Sequence, residues 1–336
     1  MVGIKDVARA AGVSVGTVSN VINRPELVTQ ETRDRVQAVI RELGYVRSES
    51  ARQLRAGQSR IVSLLVLDMG NPFFVDVARG AESTARDAGL VVTVANSGQS
   101  VSEEGVYLSL FVEQRVRGVL VTPADPTGAS LEHLRRHKVP FVLVDRVAPG
   151  AAECSVSVDD VTGGALAGRH LVGAGHRRIA YISGPPNLQQ VRDRRIGLLQ
   201  ALAEGGLGPE SLLEIQASRL DVAAGRDAAS RLLGVAERPT AVFCANDLLA
   251  LGVLQVVYAA GIAVPRDLAI VGYDDIEFAA AAVVPLTSVR QPAAEMGRLA
   301  AELLMEETGP DAAQHRHQQR VLMPELVVRG SSLPTR

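Results

Sequence analysis

Apolar residues near the start of the chain recur at helical spacing, whereas beyond residue 60 they gather into short runs. Val7, Ala8 and Ala11 share one helical face, as do Val18, Val21 and Ile22, so residues 4–23 predict two short amphipathic helices with a common apolar seam. Gly12-Val13-Ser14 forms the corner between them. Gly12 suits the left-handed residue that ends a helix, Val13 plugs the turn, and Ser14 caps the next helix. This is the spacing of a helix-turn-helix, whose second helix enters the DNA major groove N-terminus first. Pro25 halts propagation after Asn23-Arg24, and a third helix is predicted over about residues 30–43. It offers Val36, Val39, Ile40 and Leu43 to the seam, stops at Gly44, and leaves Tyr45 to close the head. A small helical bundle that ignores DNA is the alternative.

Residues 48–57 are polar and rich in helix formers, with one apolar residue of note, Leu54, between Arg52 and Arg55. Alone, a segment this short is marginal as a helix. Two readings stay open on these residues: a helix that forms on DNA, with Leu54 wedged in the minor groove and both arginines on phosphates, or a flexible tether. Beyond it, runs at 61–68, 91–96, 118–122 and 141–145 each precede a helix-like segment, and the pattern restarts at 179–183, 213–217, 241–245 and 268–273. Near-continuous apolar runs suit parallel strands buried on both faces. Two successive sets predict two doubly wound α/β lobes, with ligands in the cleft at the carboxyl ends of their strands.

The 336 residues carry a net charge of −2, which alone argues against a nucleic-acid binder, but residues 1–60 hold ten Lys/Arg against six Asp/Glu. A basic head on an acidic body fits DNA binding and weakens the bundle alternative. Cys154 and Cys244 stand far apart without a CxxC, which predicts neither a zinc site nor a disulfide. No cofactor or metal is expected. The N-terminus lacks an apolar leader and no stretch is apolar enough to span a bilayer, so a cytoplasmic protein without membrane partners is expected. Enzyme signatures are weak. Gly12-Val13-Ser14-Val15-Gly16 formally matches a nucleophile elbow, but the serine follows a helix rather than a strand. His133 and His137 lack the inner Glu of a zincin, His315 and His317 lie in a polar loop that reads as a solvated tail with a metal role as the alternative, and Gly163-Gly164 followed by Gly168 misses the dinucleotide spacing.

Residues just after the predicted strands nominate the cleft: Asp68, Asn71, Phe73, Phe74, Asp145, Arg146, Asn246, Asp247, Tyr273, Asp274 and Asp275. Arg192 and Arg194 add to them from a helix after Gly184-Pro185-Pro186, with Arg192 and Asp274 the strongest choices. Planar, bidentate hydrogen bonders beside aromatic walls suit a polyhydroxylated ligand, although Asp and Asn at strand ends also serve as helix caps.

The chain resembles the LacI/GalR family of bacterial transcription regulators over nearly its whole length. The motifs that carry the likeness include Ile4-Lys5-Asp6-Val7-Ala8, Val18-Ser19-Asn20-Val21-Ile22-Asn23, Val144-Asp145-Arg146, Cys244-Ala245-Asn246-Asp247 and Val271-Gly272-Tyr273-Asp274. The resemblance implies a helix-turn-helix head (1–47), a hinge (48–60) and a type I periplasmic-binding-protein-like body (61–336). The N-lobe would comprise about 61–161 plus 291–322, and the C-lobe about 162–290 plus 323–330. It implies a homodimer on a pseudo-palindromic operator, with a tetramer left open. Val15, Gly16 and Asn20 would face bases, Ser14, Thr17 and Asn23 the DNA backbone, Ser19 would also contact the DNA, and Leu54 would be the hinge wedge flanked by Arg52 and Arg55. Asn71, Phe73, Phe74, Asp145, Arg146, Arg192, Asn246 and Asp274 would hold a small effector that resets operator affinity. Two positions depart from the family pattern. Gly16 has no side chain to read a base, and Leu220 stands where several members stack an aromatic on a sugar. A sugar effector is thus expected, with a nucleoside or another polar metabolite as the alternative. A sugar transport protein would leave residues 1–60 without a purpose, and an enzyme would need a catalytic constellation that the sequence does not offer.

Overall fold

The computed structural model describes residues 2–45, 59–125, 127–150 and 152–333. They form two compact units, Met1–Ser59 and Arg60–Arg336. In the first, α1 (Ile4–Ala11), α2 (Val15–Asn23) and α3 (Gln30–Glu42) enclose a core of Val7, Ala8, Ala11, Val18, Val21 and Val36. Gly12 takes a left-handed conformation (φ 65°) that ends α1 and aims the chain into α2. The Ser14 hydroxyl accepts the Thr17 amide at 3.0 Å, a cap worth about 1 kcal/mol. One turn of 3₁₀ helix at Pro25–Leu27 precedes α3, and Tyr45 packs half-buried on the core.

The second unit holds two six-stranded sheets. One contains β1 (Ile61–Val66), β2 (Val91–Asn96), β3 (Gly118–Val121), β4 (Phe141–Val144), β5 (Cys154–Val158) and β11 (Gln319–Leu322), all parallel, in the order β11-β5-β4-β3-β1-β2. The other contains β6 (Ile179–Ser183), β7 (Leu212–Gln216), β8 (Ala241–Cys244), β9 (Ala269–Asp274), β10 (Thr287–Arg290) and β12 (Glu325–Val327), in the order β12-β10-β9-β8-β6-β7. Only β12 runs antiparallel. The inner strands β3, β4, β8 and β9 are buried throughout, as helices on both faces of a parallel sheet require. Eight strands match apolar runs in the sequence. The other four do not: β5 (CSVSV) and β10 (TSVR) interleave hydroxyls, and β11 and β12 are short edges. The chain passes between sheets three times, from β5 into helix Asp160–Gly173, from β10 into helix Ala293–Thr308, and from β11 into β12.

Glycines set two close helix contacts that matter for the cleft. A Cβ at Gly164 would fall 2.0 Å from the Arg194 carbonyl oxygen, and one at Gly197 would fall 1.8 Å from that of Val161. Helices Asp160–Gly173 and Gln189–Glu204 therefore touch backbone to backbone. Gly80 and Gly297 make the same reciprocal contact between helices Pro72–Asp87 and Ala293–Thr308. The glycine run at 163–168 thus serves packing, which explains why it misses a nucleotide-binding spacing. Among the described residues, no helix is long and apolar enough to cross a membrane.

Candidate functional sites

On the head, α2 turns Val18 and Val21 inward and leaves Val15, Gly16, Asn20 and Asn23 exposed, with Thr17 and Ser19 partly so. Ser14 stands exposed at its N-terminus, and no acidic residue occupies the first turn. That end therefore presents free N–H groups and the positive pole of the helix dipole, which suits a phosphate. The Asn23 amide is committed to the Ser19 carbonyl oxygen at 2.8 Å, so its carbonyl end is what faces solvent. A Cβ at Gly16 would meet nothing nearer than the Ser14 hydroxyl at 3.5 Å. Gly16 is thus not required by packing, and its bareness leaves room at the outer face of α2. The expected hinge residues Arg52, Leu54 and Arg55 lie outside the described residues.

Between the lobes lies a narrow cleft, with a cavity volume of about 30 Å³. Asn71, Phe73, Phe74, Asp145, Asn246 and Asp274 all line it. Several do two jobs. Asn71 caps helix Pro72–Asp87 by accepting the Phe73 amide at 3.1 Å, and its Nδ2 reaches across to Asp274 Oδ2 at 2.9 Å. Asn246 caps helix Asp247–Ala259 through the Leu249 amide and donates to the Leu220 carbonyl. Capping and cleft roles, alternatives in the sequence, coincide because strand ends and helix starts meet there. Asp145 (φ 56°) and Asp274 (φ 102°) hold left-handed backbones that non-glycine residues seldom adopt. Such strain concentrates at functional sites.

Of the residues nominated for the cleft, Arg146, Arg192, Asp247, Tyr273 and Asp275 do not line it. Arg192 is exposed and donates to the Pro186 carbonyl oxygen at 2.8 Å. Arg146 is half-buried, donates to the Asp125 carbonyl oxygen at 3.0 Å, and does not line the cavity. Burial, and then the charge of Arg192, holds its guanidinium below the ordinary value. The guanidinium in the cleft is that of Arg194. Residues two apart on a helix point about 200° apart, so only one of the pair can face inward. Buried Val191, Leu198 and Ala201 share the stripe of Arg194, a spacing that would have picked it out.

Arg194 is buried and organises the floor of the site. It donates to Asp160 Oδ1 at 2.7 Å and to the Ala245 carbonyl oxygen at 2.6 Å, and lies 4.0 Å from Asp274 Oδ1. Its guanidinium carbon sits 3.6 Å above the centre of the Tyr273 ring. Burial disfavours its charge, but Asp160, Asp274 and Asp145 outweigh that and hold its pKa above the ordinary value. One cation thus faces three carboxylates. Burial first, then Asp160, pushes Asp145 up to about 8 against the pull of Arg194 and Gln190. Asp274 is likewise raised by burial, although Arg194, Asn71 and Gln291 oppose the shift. Gln190 and Gln291, neither singled out in the sequence, tie these carboxylates down. Gln190 Nε2 donates to Asp145 Oδ2 and Gln291 Nε2 to Asp274 Oδ1, both at 2.7 Å. Asp145 Oδ1, Gln99 Oε1 and Gln291 Oε1 are buried and have no partner among the described residues. The two amide oxygens are open acceptors, and Asp145 Oδ1 becomes one when its carboxyl loses its proton. Leu188 and Leu220 complete an apolar wall with Phe73 and Phe74.

Similarity to known proteins agrees with both halves. The model described as "Bacterial regulatory proteins, lacI family" matches residues 3–48, and that of a "Periplasmic binding protein-like domain" matches residues 169–332. The ribose operon repressor of Escherichia coli (strain K12) is 36% identical over 334 residues, covering 99% of this chain and 100% of the relative. Among solved structures, the complex of the transcriptional regulator CelR with cellobiose is 32% identical with a TM-score of 0.73, covering 99% of this chain and 100% of its own. The lac repressor dimer bound to operator and an anti-inducer is 27% identical with a TM-score of 0.84, covering 99% of each chain. A helix-turn-helix head on a type I periplasmic-binding-protein-like body defines a class of DNA-binding transcriptional repressors, not enzymes. Within that class, the chain belongs to the LacI family.

Proposed function

We propose that the protein is a homodimeric repressor whose operator affinity is set by an uncharged, polyhydroxylated effector, a small sugar, bound between the lobes. The observation that carries this reading is the set of buried acceptors without partners, Asp145 Oδ1, Gln99 Oε1 and Gln291 Oε1, around one arginine already committed to carboxylates. Sugar hydroxyls, donors and acceptors at once, pair with these groups in either protonation state of Asp145, whereas a phosphate or carboxylate brings no donor to the two amide oxygens and is repelled once Asp145 ionises. Phe73, Phe74, Leu188 and Leu220 give the apolar faces of a sugar ring somewhere to lie. A ribose operon repressor and a cellobiose-bound regulator among the relatives support the same class of ligand.

On the DNA side, Val15, Gly16 and Asn20 face bases, and Ser14, Thr17, Ser19 and Asn23 meet the backbone. Arg52 and Arg55 reach phosphates, and Leu54 is the minor-groove wedge. A second copy is the fitting cover for apolar residues left exposed on the body. These are Val94 on β2 with Val101, Val106 and Leu110 on the next helix, and Tyr258, Phe278 and Val283 on the other lobe. The test has two arms on the purified full chain. A thermal-shift screen should single out a neutral sugar over sugar phosphates and nucleosides. Operator binding should weaken steeply with salt, as counterion release demands, and should change when that sugar is added. A nucleoside as the best ligand, or operator affinity indifferent to every stabilising sugar, would overturn the assignment.

A further inference from the structure

Far from the cleft, the fold gathers four side chains that the sequence scatters. Cys154 opens β5, Glu307 closes helix Ala293–Thr308, and His315 and His317 precede β11. Parallel pairing of β11 with β5, in the register Gln319↔Ser155, brings the histidines to the cysteine. Residues 311–314, 316 and 317 are exposed, as a solvated loop implies, but the His315 side chain turns inward and is only 5% exposed. One potential ligand atom from each of the four residues lies within 4.8 Å of all the others. From these juxtaposed donors we infer a binding site for a zinc-class divalent cation, made by Cys154, Glu307, His315 and His317.

The spacing suits tetrahedral coordination. Metal bonds of about 2.3 Å to sulfur and about 2.0–2.1 Å to nitrogen place sulfur and nitrogen about 3.5 Å apart on a tetrahedron. Cys154 Sγ lies 3.2 Å from His315 Nε2 and 3.7 Å from His317 Nδ1. Hydrogen bonding among these groups leaves the cluster incomplete, since one thiol proton serves only one imidazole and Glu307 Oε2 is buried with no partner among the described residues. A cation satisfies all four donors at once. The surroundings have the form of an outer coordination shell. The Gln318 amide points at Cys154 Sγ at 3.3 Å, and Glu306 Oε2 lies 3.6 Å from His315 Nδ1, on the side of the ring away from the sulfur. One thiolate, two imidazoles and a carboxylate select zinc or cobalt over magnesium or calcium, and four protein donors make the site structural. Its ligands come from three segments that each continue into, or arrive from, a crossing between the lobes. The site lies at the amino-terminal edge of the sheet, opposite the edge that Asp145 follows and from which the crossings leave, so the cation ties the three segments together at their far ends.

Tag-free full-length protein, stripped with a chelator, is titrated with Zn²⁺ under equilibrium dialysis and separately with Co²⁺ under optical absorption. The expected result is one zinc per chain and a tetrahedral cobalt spectrum with a thiolate charge-transfer band. Cys154→Ser should abolish that band, and Cys244→Ser should leave it. Cys154 is fully buried, so His317→Ala, at an exposed position, guards against a folding artefact and should weaken zinc binding by about tenfold or more. Absence of stoichiometric zinc uptake, an octahedral cobalt spectrum without a thiolate band, or unchanged affinity in His317→Ala would each overturn the site.

Discussion

Asp145→Asn tests the cleft chemistry most sharply, because the change is nearly isosteric and removes a single titration. Asp145 Oδ2 is occupied by Gln190 while Oδ1 waits for a donor, and its pKa is pushed up to about 8. A sugar hydroxyl donates best to the carboxylate, so below pH 8 the ligand must displace a proton. Affinity of the wild type should therefore rise with pH between about 6 and 8, by up to about tenfold per unit for one proton released, and level off above. Stability of the ligand-free protein should run the other way. The folded pKa lies above the unfolded value, so the contribution of Asp145 is complete below about pH 4 and is lost as pH rises through 8, at up to about 1.4 kcal/mol per unit. Asp247 and Asp274 are raised too, so the comparison with the variant isolates Asp145. Titration calorimetry with ribose, or with whichever sugar stabilises the protein most, in buffers of different ionisation enthalpy reads the proton directly. Near pH 7 the wild type should release close to one proton per site, while Asp145→Asn should release markedly less and bind with little dependence on pH. Sugar binding without proton release in the wild type would refute the reasoning.

Other substitutions separate the remaining elements. Arg194→Met strands Asp160 in the interior and should cost about 3–5 kcal/mol in urea unfolding together with sugar binding, whereas exposed Arg192→Ala should change neither by more than about 0.5 kcal/mol. Equal effects at the two positions would sink the assignment of Arg194 to the cleft. Gly16→Ala should leave folding intact, strengthen α2 by up to about 1 kcal/mol, and change the operators recovered from a random DNA pool. An unchanged operator spectrum would mean that this face of α2 does not approach bases. Gly197→Ala drives a methyl into the Val161 carbonyl and should destabilise the body by about 1–3 kcal/mol or more on thermal melting, while weakening sugar binding by shifting Arg194.

The sequence by itself determined the elements whose burial is local or two-sided. Gly12-Val13-Ser14 and the helical spacing of Val7, Val18 and Val36 specify the head, because capping and amphipathic phase act within a few residues. Continuous apolar runs specify β1, β3, β4, β6, β8 and β9, because a strand covered on both faces has no reason to alternate. Tertiary structure decided what depends on neighbours distant in sequence. β5 and β10 are buried by the sheets they join rather than by their own hydrophobicity, so their serines and threonines conceal them. Gln190 becomes a cleft residue only because Asp145 of the other lobe lies opposite it, and Gln291 only because pairing of β10 beside β9 carries it to Asp274. The inward arginine is Arg194 because glycine contacts fix the rotation of its helix, and a residue list without helical phase favours Arg192 as readily. Cys154 and His315 meet only through strand pairing across 161 positions, a distance over which no local spacing rule operates.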